Sequence, residues 1–100
     1  MSIGFDLEQK QDTNQKINPN WHVILLNDDV HTFPFVIMVL IKIFRKKPEE
    51  AIELTYEIHE KEQAIAATCS KERALLYQEQ VTSVKEGDKG ALRCVIEPAE

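Results

Sequence analysis

The chain has 100 residues, 43% of them hydrophobic and 29% charged, with a net charge of −5. That is the composition of one ordinary globular domain with a single modest core. The acidic balance, without any basic cluster, excludes a nucleic-acid footprint; the longest apolar run, 33–41 interrupted by Pro34, is too short to span a bilayer.

Residues 1–19 are rich in Gln, Asn, Asp and Lys and carry no sustained apolar period. They lack the apolar centre of a signal peptide and read as a flexible N-terminal extension; residues 20–100 read as one compact domain. Trp21–Leu26 predicts a buried strand that stops abruptly at Asn27-Asp28-Asp29. Thr32 then reads as an N-cap, with Pro34 in the first turn of a helix running to Phe44. That helix is apolar nearly all round, which predicts a central helix covered on several sides. Arg45, Lys46 and Lys47 at its end suit the helix dipole. Pro48-Glu49-Glu50 opens a second helix, with Ala51, Leu54 and Ile58 as its buried stripe. The short apolar stretch 64–69 reads as a second strand. Ser70 caps a third helix over 71–84, with Ala74, Leu75, Gln78 and Val81 inward. Residues 86–90 form a turn, and 92–96 make a third strand with Leu92, Cys94 and Ile96 on one face. The order β-α-α-β-α-β predicts an α/β (α+β) fold, a three-stranded sheet packed with three helices.

Little in the chain supports catalysis. There is no serine or cysteine in a nucleophile motif and no glycine-rich phosphate loop, with three glycines in all; paired catalytic carboxylates are also missing outside the Asp28-Asp29 turn. His22, His31, His59, Asp28 and Asp29 lack the close ligand spacing of a zinc site. Cys69 and Cys94 read as free, buried thiols of a reducing compartment, which points to the cytoplasm. Neither enzyme, metal nor cofactor is expected.

Asn27, Asp28 and His59 admit two readings. In one, Asn and Asp after a strand form a plain turn by bonding their own backbone, and His59 meets the end of a helix dipole. In the other, they gather acceptors at the mouth of an apolar wall. An amide oxygen, a carboxylate and a neutral imidazole nitrogen match the three N–H donors of a protonated α-amino group. A protein N-terminus with a large hydrophobic first residue is a cation attached to an apolar side chain, and would suit such a place.

The residues Leu25-Leu26-Asn27-Asp28-Asp29, Phe35-Val36, Val39-Leu40, Ile58-His59, Ala64-Ile65, Glu72, Ala74, Leu92 and Cys94 together resemble the ClpS family, over about residues 20–97. The resemblance implies a fold similar to the C-terminal domain of the ribosomal stalk protein. It also implies a monomeric adaptor that binds substrates through N-terminal Leu, Phe, Tyr or Trp and delivers them to the N-terminal domain of a ClpA- or ClpC-type unfoldase. By the same resemblance Asn27, Asp28 and His59 are the α-amino ligands. The pocket falls to Asp29, His31, Phe33, Val36, Met38, Thr55, Ile58 and Leu92, docking to the unfoldase to Glu72 and Tyr77, and a part in delivery to residues 1–19. Several positions depart from the family's usual pattern. Val30-His31-Thr32-Phe33-Pro34-Phe35 stands where Tyr-Thr-Pro-Met-Glu-Phe is usual, Thr55 replaces Met, Glu60-Lys61-Glu62-Gln63 replaces a Gly-containing turn, and Tyr77 replaces Lys. The alternative they raise is a ClpS-like interaction module with an altered ligand or partner.

Overall fold

In a computed structural model, residues 20–99 are described; the expected extension 1–19 lies outside them. Strand β1 is Trp21–Leu26, helix α1 Phe33–Lys42, α2 Pro48–Lys61, β2 Gln63–Cys69, α3 Lys71–Thr82 and β3 Cys94–Pro98, with a single 3-10 turn at Gly87–Lys89. β1 is the middle strand, antiparallel to β2 on one side and to β3 on the other.

The local signals explain most of these elements. Thr32 caps α1 by accepting from the Phe35 N–H at 3.2 Å, and Glu50 accepts from the Lys47 N–H at 3.4 Å ahead of α2, satisfying N–H groups that a helix start leaves orphaned. Ser70 does the same for α3 through the Arg73 N–H at 3.2 Å. On the inner face of the sheet, Leu25 sits between Ala64 and Cys94, and Val23 between Ala67 and Ile96. A bulge between Val23 and Ile24 inserts Ala66 into β2. These residues form one core with Phe35, Val36, Val39 and Leu40 of α1, Ala51 and Ile58 of α2, and Ala74 and Val81 of α3. Leu25 and Leu40 are fully buried, so truncating either to Ala should cost about 2–5 kcal/mol. The small Ala64 and Ala66 let helix α2 lie close to the sheet.

Three expectations need correcting. The third strand is Cys94–Pro98, not 92–96, because its pairing with β1 runs from Leu25–Cys94 to Trp21–Pro98; Leu92 is buried in the stretch just before it. Leu75 is 48% exposed: α3 turns Ala74 and Val81 inward, with Tyr77 and Gln78 half-buried, and a residue next to Ala74 points about 100° away from that stripe. Helix α1 is fully buried on one face only. Phe35, Val36, Val39 and Leu40 are buried, whereas Ile37, Met38 and Ile41 are half-buried.

Candidate functional site

The site forms where β1 runs out. After Leu26 the Asn27 N–H donates to the Glu62 carbonyl at 2.9 Å, which brings the end of β1 against the C-terminus of α2 and so against His59. The turn that follows is built on Asp28. Its Oδ1 accepts from the Val30 N–H at 3.0 Å and the His31 N–H at 2.9 Å, an Asx-type turn that aims the chain into α1. The expected turn therefore exists, and it coexists with a cavity.

That cavity has a volume of about 200 Å³, smaller than the roughly 300–1,000 Å³ typical of drug-sized ligand pockets. Val36 of α1, Ile58 of α2 and Leu92 supply apolar wall, all three buried. Asn27, Asp28, Asp29 and His59 stand in the lining as its polar groups, with His31 and Phe33 beside them. Thr55 completes it. Its hydroxyl donates to the Ala51 carbonyl at 2.7 Å, so it turns back onto its own helix rather than toward the ligand space. Met38, expected in the pocket, does not line the cavity; it is half-buried against the core, on the α1 face turned from Val36. Leu25 and Leu26 line the cavity and were not expected there. The alternation of a strand gives no hint that its last two residues border a ligand space.

The polar groups differ in what they have left to offer. Asn27 Nδ2 donates to Glu62 Oε1 at 3.4 Å, and among the described residues its Oδ1 has no hydrogen-bond partner. His59 packs edge-on against Phe33, ring centroids 5.3 Å apart, and its ring nitrogens likewise make no hydrogen bond among the described residues. Asp28 is engaged differently. Its Oδ2 is 2.6 Å from His31 Nδ1, while His31 Nε2 is 2.8 Å from the Gly90 carbonyl oxygen. The His31 side chain is 3% exposed and that of Asp28 is 23% exposed. Burial pushes the His31 pKa down, but the Gly90 carbonyl, the Asp28 hydrogen bond and the charges of Asp28 and Glu86 outweigh it and leave the pKa raised. For Asp28, burial pushes upward and the hydrogen bonds from His31 and Val30 win, so its carboxyl is lowered. The histidine bridge links residues 59 positions apart, and no local sequence pattern announces it.

The expected docking residues lie elsewhere, on α3. Glu72 is exposed. Tyr77 is stacked on Phe44 at 4.7 Å, with the Arg73 guanidinium 6.0 Å from its ring centre. Neither lines the cavity. Among the described residues, no group of three or more His, Cys, Asp or Glu side chains is placed to hold a metal ion, and no helix is long and apolar enough to cross a membrane. Cys69 and Cys94 are free thiols, and burial pushes Cys94 up to about 11.

The chain is similar in sequence and in fold to known proteins. Residues 16–95 match the family model of the ATP-dependent Clp protease adaptor protein ClpS. The ClpS adapter protein of Vibrio cholerae is 33% identical over 99 residues, spanning 99% of this chain and 93% of its own length. That of Thermosynechococcus vestitus is 40% identical over 75 residues, 74% of this chain and 80% of its own length. The structure of Agrobacterium tumefaciens ClpS2 bound to L-phenylalaninamide superimposes with a TM-score of 0.75 at 25% identity, covering 80% of this chain and 96% of that one. With a family match that spans most of its length, the chain belongs to the ClpS family of Clp protease adaptors.

Proposed function

We propose that this adaptor binds the free N-terminus of proteins that begin with a large hydrophobic residue and hands them to a ClpA- or ClpC-type unfoldase, doing no chemistry of its own. The side chain of the first residue fills the cavity against Val36, Ile58 and Leu92, and its α-ammonium meets Asn27, Asp28 and His59 at the rim. The observation that carries this reading is one cavity in which apolar wall and uncommitted acceptors adjoin. The phenylalaninamide held by the Agrobacterium relative, a free amine next to an aromatic side chain, supports it. Burying a Leu or Phe side chain contributes about 1.5–3 kcal/mol, and each hydrogen bond to a charged group about 1.5–3 kcal/mol, which suits a cargo that must later be released. For the unfoldase we assign the α3 surface around Glu72 and Tyr77, where Leu75 and Leu76 are exposed. The two free thiols support a reducing, cytoplasmic setting.

N-acetylation tests the reading directly, because it removes the cation and two of its donors. A Phe-started peptide titrated by fluorescence anisotropy should bind, and its acetylated twin should bind at least about 100-fold more weakly, the value of two lost charge-assisted hydrogen bonds. Equal affinity of the two peptides would refute amine recognition.

A further inference from the structure

His31 stands in the cavity lining, where the family resemblance expects a threonine, and it changes what Asp28 can offer a ligand. A carboxylate presents about four lone-pair sites, two on each oxygen. Oδ1 of Asp28 already accepts two backbone N–H groups, from Val30 and His31, which fills it. Oδ2 accepts from His31 Nδ1. The one site left for an incoming ammonium is therefore on Oδ2, the oxygen the imidazole already holds. At its other edge Nε2 faces the Gly90 carbonyl oxygen, which can only accept. Both ring nitrogens thus point at acceptors, and only the imidazolium, with two N–H donors, satisfies both.

We propose that His31 is an internal cation that competes with the ligand's α-ammonium for Oδ2 of Asp28, so that binding of a free N-terminus expels a proton from the imidazole to the solvent. This inference rests on the amine-binding reading above and adds the proton to it.

The geometry prepares both states. The Asx turn holds Asp28 in place through Oδ1 whatever the charge on the ring. On losing a proton His31 keeps Nε2–H on Gly90, which fixes the tautomer, and its Nδ1 turns from a donor into an acceptor beside Oδ2. The competitor becomes a further acceptor beside Asp28 Oδ2, so the site loses a rival cation and gains no new one. The groups facing His31 are few. Asp28 lies on its own turn, and Glu86 lies on the loop before Gly90, held there by the Thr32 N–H at 3.1 Å and hydroxyl at 2.7 Å and 4.0 Å from Lys89 Nζ. The Phe35 ring stacks on the imidazole at 5.3 Å and brings no charge. His59 and Asp29 share the cavity lining. Both carboxylates nearest the ring favour the imidazolium in the empty protein, in keeping with its raised pKa, and an arriving ammonium opposes it.

Two measurements on the full chain test this. The titration of the His31 ring nitrogens is followed by long-range proton–nitrogen NMR, alone and saturated with a Phe-started peptide; its midpoint should fall in the complex. Calorimetry of the same peptide at about pH 6.5, below the unperturbed α-amino pKa, in buffers of different ionisation enthalpy, should show release approaching one proton per peptide. By linkage the affinity should then improve by up to about tenfold per pH unit between about pH 5.5 and 7. His31→Thr should lower the release well below that of wild type and flatten that dependence relative to wild type. A His31 midpoint that is unchanged or raised in the complex overturns the proposal, as does proton release that persists undiminished in a folded His31→Thr protein. Failure of the free-amine peptide to bind wild type at any pH refutes the reading of the site itself, and this proposal with it; binding with an unmoved midpoint refutes this proposal alone.

Discussion

Thr55 donates its hydroxyl to the Ala51 carbonyl at 2.7 Å, one turn back along α2. What the cavity meets at this position is therefore a short side chain whose polar atom is already satisfied, and the floor is roomy rather than polar. Thr55→Val should leave ligand preference unchanged and cost about 1 kcal/mol of stability or less, the worth of one neutral hydrogen bond. Thr55→Met should fill the floor. Overpacking costs about 1–3 kcal/mol, and it should fall on a Trp-started peptide more than on a Leu-started one, raising the Leu/Trp affinity ratio about tenfold. Competition titrations of the two peptides against wild type and both variants measure this. An unchanged ratio in Thr55→Met would remove Thr55 from the binding surface.

Glu62 holds the left-handed conformation at the end of α2, with φ 74°, where glycine is the usual choice because a Cβ is strained there. It also carries the carboxylate on which Asn27 Nδ2 rests. Glu62→Gly should separate the two roles. Relief of backbone strain should stabilise the fold by about 1 kcal/mol, read as a higher urea midpoint. Loss of the contact that orients Asn27 should weaken a Phe-started peptide a few-fold. A variant that is both more stable and fully competent would show that Asn27 needs no such orientation.

What the sequence disclosed follows from how local each cause is. The strand Trp21–Leu26 and the starts of all three helices are dictated within a few residues: Thr32, Ser70 and Pro48-Glu49-Glu50 act on the turn that follows them. The limits of strand β3 lie two residues later than its apolar pattern implies because pairing with β1 sets them, and Leu75 is apolar yet exposed because it lies off the helical stripe of Ala74 and Val81. At the site, the ends of β1 and α2 were legible through Asn27, Asp28 and His59. The bridge from Asp28 through His31 to Gly90 was not, since it exists only once a distant loop folds back. For Met38 the cause is local. It lies on the same helix as Val36, but two residues turn it about 200° around α1, nearly to the opposite face and out of the cavity.

The Asp28–His31 pair also makes stability depend on pH. His31 is raised in the folded protein, so its contribution is complete below its unfolded pKa of about 6.5 and is lost as pH rises through the higher folded value. Asp28 is lowered; its share is present above about pH 3.9 and is lost as pH falls through the folded value. Without ligand, the stability difference between wild type and His31→Thr should therefore shrink as pH rises above 6.5. Urea unfolding of both proteins between about pH 6 and 9, on either side of the α-amino and histidine reference values, checks the sign. A difference that grows with pH would mean that the imidazole is neutral in the folded state.

Phe33 is held edge-on by two rings of α2, Tyr56 at 5.2 Å and 89° and His59 at 5.3 Å and 71°, while it lines the cavity itself. Both contacts place a ring edge and a ring face together, the arrangement the aromatic quadrupole favours. This part of the cavity wall is thus a stiff aromatic plate rather than the flexible thioether that the family resemblance expects there. An aromatic first residue can meet that plate with its own ring, gaining about 0.5–1.5 kcal/mol beyond buried area; a leucine cannot. Phe33→Met should therefore weaken Phe- and Trp-started peptides by about two- to tenfold, the same energy expressed as affinity, and change a Leu-started peptide much less. Tyr56→Ala removes support from the outer side, where Tyr56 is 52% exposed, and should have the smaller effect on all three. Measuring the three peptides against wild type and both variants decides between two roles for the ring. If Phe33→Met weakens Leu-, Phe- and Trp-started peptides equally, Phe33 acts only by steadying His59, and it has no part in choosing the first residue.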